Sequence, residues 1–490
     1  MLRADRESAR PGGGVPDRRA VFPNGHVVLT SPPSMASSSD AIPDGLDGIG
    51  RRLALLTLAA LLVRLAFVLL EPATRPVGDE RTWTDWALNL SSPRVHYSPL
   101  RIHLIFYPPV YPYFLAALYG LAGTFEAARW TQAALGALLV PAVGWTGARA
   151  FSPRAGLWAA AVAAFYPELI WFSVHFWSET VFMVLLWWGI ERLLAADATG
   201  GVGRAVAAGA LWGAAILTRE TVLYFVPLAA AWLATRPRPG ARARGAAFLV
   251  AALLVVAPWT YRNWLEFHAL IPVSTAGGQN LFQGNALIPR DTTYEMVDAV
   301  QGRVEQYRYA MRMGWQAIRD RQPAWIFEKL RDEMPRFWEA DSLVLVHIKR
   351  GAYGPVAPAL AVAVAVVVLA PYVAVLALFA LGATRLRWSP PAVLIVSFLV
   401  YYNLIHIVTH GFARYRLPVM PVVFLIAGVG WAAWRAGDLA RMSGRARAAA
   451  AVLAATLTLI LIPSFRLNLE HPAFGFADTG GPPGADAPSP

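Results

Sequence analysis

Pro108-Pro109-Val110-Tyr111-Pro112-Tyr113-Phe114-Leu115-Ala116-Ala117-Leu118-Tyr119-Gly120-Leu121 is apolar enough to be counted as a membrane crossing. Whether it crosses decides on which side every later loop lies. The arginines of the short loops settle the parity. With spans at about 53–70, 128–148, 155–172, 179–194, 205–218, 221–234, 245–260, 355–382, 390–408, 418–434 and 446–463, Arg149/Arg154, Arg192/Arg204, Arg236/Arg238/Arg242/Arg244, Arg385/Arg387 and Arg435/Arg441/Arg445/Arg447 share the side of Arg51-Arg52. Adding 108–123 as a further span would move all these downstream clusters outside, against the bias that keeps short basic loops in the cytoplasm. The stretch is therefore read as a helix in the outer interface, entered through a proline-stiffened turn.

Composition agrees with this reading. Of 490 residues, 56% are hydrophobic and 15% charged, against about a quarter charged in soluble domains. The net charge of +12 invites a nucleic-acid role, but its arginines lie mostly in short loops between apolar runs, where topology requires them. Without cysteine, disulfides and thiolate metal sites are excluded. The expected fold class is an all-α polytopic membrane protein of about eleven transmembrane helices, with the N-terminus cytoplasmic. Residues 1–50 and 466–490 read as disordered tails, Met35 being an equally good start. Between them, 71–127 forms the first outer loop and 261–354 a large outer segment, with helical patterns at Tyr294–Asp320 and Ala324–Trp338. No internal repeat is evident, which counts against inverted-repeat transporters.

The outer loops hold the residues that could do chemistry. Gly78-Asp79-Glu80 follows the first span, and Trp83, Trp86, Ala87 and Leu90 continue it at helical spacing. The two acids suit a helix N-terminus, and equally a site at the membrane surface. Glu179 opens the fourth span after Ser173–Ser178, with Ser178 as a possible cap. His175 is a lone imidazole, and Glu168, after Pro167, sits deep enough to need a partner. Arg219-Glu220 and Arg414-Tyr415-Arg416 occupy short outer corners, where arginine is disfavoured unless it anchors or binds, for instance, a phosphate. Arg64 interrupts the first span and must pair or face the bundle interior. Nucleotide-binding loops and His-Glu-x-x-His zinc motifs are absent.

The order of these features resembles the GT-C glycosyltransferases, in particular the dolichyl-phosphate-mannose protein mannosyltransferase-like group (family 39) and its bacterial relatives. The resemblance runs over about 50–465. It rests on Gly78-Asp79-Glu80, Tyr107-Pro108-Pro109-Val110-Tyr111-Pro112, Arg129, Arg149–Gly156, Ser178-Glu179, Leu217-Thr218-Arg219, Pro258–Asn263 and Arg414–Pro418. It implies a GT-C fold and inverting transfer of a sugar from a polyprenyl-phosphate donor to a hydroxyl acceptor (protein, lipid or glycan) at the outer face of a bacterial-type inner membrane. Asp79 would be the base and Glu80 would position the acceptor. Glu179 would support the site or a divalent cation, and Arg219, Arg414 and Arg416 would hold the lipid phosphate. Trp83 stands where relatives often carry Tyr, and Glu179 where Asp is common, which puts metal geometry in doubt. The rival reading, a transporter or flippase of a lipid-linked or anionic substrate, would need charges deep in the spans. A scaffold built on 261–354 has no use for Asp79 and Glu179 on one side.

Overall fold

The computed structural model describes residues 45–71, 76, 78–91, 105–438 and 442–474, which are helical with connecting turns and no strand. Most of both expected tails, and Met35, lie outside them. The first helix already begins at Gly45 and the last runs to Leu469. In chain order the helices are α1 (Gly45–Leu70), α2 (Asp79–Ser91), α3 (Val110–Ala122), α4 (Glu126–Ala137), α5 (Leu139–Ala150), α6 (Pro153–Phe165), α7 (Pro167–Phe172), α8 (Glu179–Thr199), α9 (Val202–Ile216) and α10 (Val226–Ala234). There follow α11 (Ala241–Phe267), α12 (Ala276–Asn285), α13 (Arg290–Asp298), α14 (Arg303–Asp320), α15 (Ala324–Trp338), α16 (Leu343–Lys349), α17 (Pro358–Ala383), α18 (Pro390–Val408), α19 (Met420–Arg435) and α20 (Gly444–Leu469).

Among the described residues, seven stretches are long and apolar enough to cross a membrane: Gly48–Leu70, Glu126–Ala150, Ala241–Phe267, Pro358–Ala383, Pro390–Val408, Ala413–Arg435 and Gly444–Arg466. This is a multi-pass membrane protein. The count of about eleven is reached only by adding four segments that fall short for identifiable reasons. The segment 155–172 breaks between α6 and α7, because Pro167 offers no N–H and holds Tyr166 extended (φ −69°, ψ 119°). α8 is continuous but carries Glu179, Glu191, Arg192 and Asp197. The segments 205–218 and 221–234 become short helices, the second starting as the 3₁₀ turn Glu220–Phe225. α3, the helix whose parity mattered, has 13 residues. At about 1.5 Å per residue it is too short to span a hydrocarbon core of about 30 Å.

The core centres on α8, buried along nearly its whole length with Phe182, Trp187 and Leu193 fully enclosed. Its apolar character on every face is what a helix surrounded by others requires. Close approach elsewhere depends on small residues. A side chain at Gly209 would start 2.1 Å from the Phe248 carbonyl oxygen, and one at Gly213 2.8 Å from that of Ala252. The backbones of α9 and α11 thus pack through a small-xxx-small pair. Arg64, fully buried in α1, donates to the carbonyls of Ala163 and Ala164 at 3.2 and 2.9 Å. These are final-turn carbonyls of α6, left open where Pro167 ends the helix.

The two ends of the bundle are built separately. Loops expected outside meet one another: Asp79 with Arg414, Glu80 with Phe176 and His347, Glu220 with Ser274. Loops expected inside do the same: Arg149 with Glu191, Arg236 with Asp197, Arg385 with Asp438.

Candidate active site

Gly78 (φ 61°) turns the chain so that α2 starts directly at Asp79. The positive φ would strain any residue with a Cβ. Adjacent helical residues point about 100° apart, and the two acids of the first turn accordingly face different surroundings. Glu80 joins the buried face with Trp83, Thr84, Trp86 and Ala87. Asp79, with two-fifths of its side chain exposed, pairs its Oδ2 with Arg414 Nη1 at 2.7 Å. Burial alone would raise the Asp79 pKa, but the Arg414 guanidinium, with Arg219 and Arg290 behind it, holds the carboxyl below its ordinary value.

Arg414 is held by aromatics, 4.8 Å from the Trp177 ring centre and 5.0 Å from that of Tyr415. Arg219 lies over the same Tyr415 ring at 6.0 Å. It donates to Glu179 Oε1 at 2.9 Å and to Ser178 Oγ at 3.0 Å. One acid and two cations from three separate loops therefore converge around Tyr415. Glu179 Oε2, Arg219 Nε and the Trp177 indole N–H are buried without a hydrogen-bond partner among the described residues, and polar atoms left so are costly unless something else meets them.

Behind Asp79 lies a layer of acids facing histidines. Glu80 Oε1 accepts the Phe176 N–H at 3.0 Å, and Oε2 is 3.3 Å from His347 Nε2. Glu71 Oε1 accepts from the Tyr353 hydroxyl at 3.1 Å and stands 3.3 Å from His175 Nε2. Trp171 stacks on His175 at 3.8 Å and donates its indole N–H to Tyr353 at 2.8 Å. Burial pushes Glu71 up to about 7 and His175 down to about 4. At neutral pH both members of this pair resist being charged.

Three residues named from the sequence are held by partners of their own. Glu80 is 2% exposed, and its oxygens meet the Phe176 N–H and His347, which ties α2 to the α7–α8 corner and α16. Arg416 does not face the site. It is 1% exposed, donates to the carbonyls of Glu339 and Asp341 at 2.8 and 2.7 Å, and lies 4.2 Å from the Tyr372 ring. With Glu168 3.8 Å away, it provides the partner that acid was expected to need. Glu179 has its carboxylate bound by Arg219, and among the described residues no group of three or more His, Asp or Glu could hold a metal ion. Sequence reasoning missed Glu71, Tyr353 and His347 entirely. Glu71 alone carried a signal, as an acid directly after an apolar run.

Residues 107–261 match the family described as dolichyl-phosphate-mannose-protein mannosyltransferase. No curated protein matches this sequence. Among solved structures, ArnT from Cupriavidus metallidurans bound to undecaprenyl phosphate aligns at 16% identity and a TM-score of 0.47, covering 86% of this chain and 74% of that one. The archaeal oligosaccharyltransferase AglB from Archaeoglobus fulgidus, in complex with an inhibitory peptide and a dolichol-phosphate, aligns at 14% and 0.47, covering 87% and 56%. The similarity to the dolichyl-phosphate-mannose-protein mannosyltransferase family extends over residues 107–261, under a third of the chain.

Proposed function

We propose that this protein is an inverting glycosyltransferase that moves a sugar from a polyprenyl-phosphate donor to a hydroxyl acceptor at the outer face of a bacterial-type inner membrane. The observation that carries the reading is the Asp79–Arg414 pair at 2.7 Å with Arg219 over the neighbouring Tyr415 ring. A base and two cations adjoin at the end of the bundle assigned to the outside. The family match adds a lipid-phosphate sugar as donor class.

The chemistry needs little else. The acceptor hydroxyl gives its proton to Asp79 as its oxygen bonds the anomeric carbon. The bond from that carbon to the phosphate oxygen breaks, and the polyprenyl phosphate leaves as a stable anion, so no general acid is required. Arg414 and Arg219 stabilise the charge gathering on the leaving oxygens. The resting ion pair has a role here. A donor phosphate that draws Arg414 toward itself relieves Asp79 of the cation that lowers its pKa, so the carboxylate becomes a stronger base as the donor seats.

Purified protein in lipid vesicles, given a polyprenyl-phosphate sugar and candidate acceptors, should yield glycosylated product and free polyprenyl phosphate. Asp79→Asn should abolish transfer while leaving expression and insertion normal; native-level transfer by that variant would end the base assignment. Movement of the lipid-linked sugar between leaflets with no transfer would replace the enzyme reading by the flippase one.

A further inference from the structure

A cleft of about 230 Å³ opens beside α2, walled on the other side by α12, α13 and α14. Thr82, one helical turn beyond Asp79, and Trp86 line its α2 wall, with Tyr107, Gln279 and Tyr294 opposite or below. Tyr107 bridges cleft and site: its ring packs against Trp83 at 4.8 Å and Trp86 at 5.7 Å, and after burial the Asp79 charge is the next cause raising its phenol pKa. The glycosyltransferase site described above assigns no substrate to this space.

Two features describe what the cleft would hold. Gln279 is 4% exposed, yet its side-chain Nε2 has no hydrogen-bond partner among the described residues. A buried amide donor left so is costly, a cost removed when a ligand oxygen accepts from it. The charges balance: the one arginine of the lining, Arg303, has Asp298 at 4.0 Å. Such a cleft has no surplus cation for a phosphate and no surplus anion for a basic peptide. Flat aromatic faces beside amide and hydroxyl groups instead suit a ring with apolar C–H faces and an equatorial belt of hydroxyls. The volume has room for one such ring.

We infer that this cleft seats the acceptor and that the acceptor's bound end is a neutral sugar, one of whose hydroxyls is presented to Asp79. The inference rests on the transfer reaction proposed above for its meaning, but binding can be measured without turnover. The test uses the full chain in detergent and saturation-transfer NMR with methyl α-D-mannopyranoside, methyl β-D-galactopyranoside and methyl N-acetyl-β-D-glucosaminide as probes, with inorganic phosphate and a basic heptapeptide as comparators. At least one glycoside should bind. Gln279→Leu should weaken it by about threefold to tenfold, and Tyr294→Ala comparably, while Asp197→Asn, at the other end of the bundle, leaves it unchanged. Tyr294 is 39% exposed, so its variant carries the test if Gln279→Leu does not fold. No glycoside binding, binding indifferent to both variants, or tighter binding of phosphate or peptide overturns the inference. The two readings fail separately. Asp79-dependent transfer whose acceptor KM ignores both variants removes the cleft and keeps the enzyme. Glycoside binding in the cleft of a protein that transfers nothing removes the enzyme and keeps the cleft.

Discussion

The two ends of the bundle use the same side chains to opposite effect. At the inner end each buried acid meets two arginines: Glu191 is paired with Arg149 and Arg192, Asp197 with Arg236 and Arg238. At the outer end Asp79 and Glu179 each have one arginine, and Glu71 and Glu80 face imidazoles. An acid between two guanidinium groups keeps one cation when the other is drawn away. An acid with one arginine, as Asp79 has in Arg414, can exchange that partner for a substrate group. The number of cations per acid, rather than the residue types, separates Glu191 and Asp197 from Asp79 and Glu179; Glu333, in the outer segment, shares the inner pattern, with Lys329 and Arg336 at 3.5 and 3.4 Å.

The comparison breaks most sharply at Asp79. Asp79→Asn keeps the shape and removes the base, and the transfer rate should fall by about 10³-fold. Arg414→Ala should lower kcat/KM by about 10²-fold, chiefly through a weaker response to the donor, because the acceptor-side groups of α2 stay in place. Equal loss toward donor and acceptor would sever Arg414 from the phosphate. The matching change at the other end, Asp197→Asn, should leave transfer intact. It loosens Arg236 and Arg238 and should cost about 1 kcal/mol in thermal unfolding, since both arginines can turn to water. Loss of activity there would erase the distinction between the ends.

How far these sites could be read in advance follows from helix geometry. The apolar runs marked the bundle, but not where α6 ends, because a single Pro167 decides between one long helix and two short ones. Asp79, Glu179, Arg219 and Arg414 were each visible as charges where a membrane disfavours them, and the structure brings them together. Arg414 and Arg416 looked alike in sequence. They lie on the 3₁₀ turn Ala413–Val419, where residues two apart point to different faces at three residues per turn, so one reaches Asp79 and the other the core. Glu80 and Asp79 likewise adjoin in sequence yet face different surroundings. His347 and Tyr353 could not be read at all, since only tertiary packing carries α16 and the turn after it to the first loop.

The smallest effect sharpens the comparison through pH. Glu71 has a pKa of about 7 in the folded protein, raised chiefly by burial, against about 4.5 when exposed. Below about 4.5 both folded and unfolded chains hold the proton, and the group contributes nothing. As pH rises from there to about 7, the unfolded chain releases a proton that the folded one keeps, so native stability falls, and the loss is complete above about 7. His175 works in the opposite window. Held near 4 by burial, it stays neutral while the unfolded imidazole takes up a proton, so its cost appears as pH falls from about 6.5 to about 4. In the native protein the two slopes largely cancel. Glu71→Gln preserves the hydrogen-bonding shape and deletes one slope, exposing the other. Melting curves should show the variant gaining on the native protein as pH rises from 5 to 8, by about 1–3 kcal/mol at the upper end, with the gain absent near pH 4. A difference independent of pH would mean that Glu71 is already ionised beside His175, and that the outer acids are held as firmly as the inner ones.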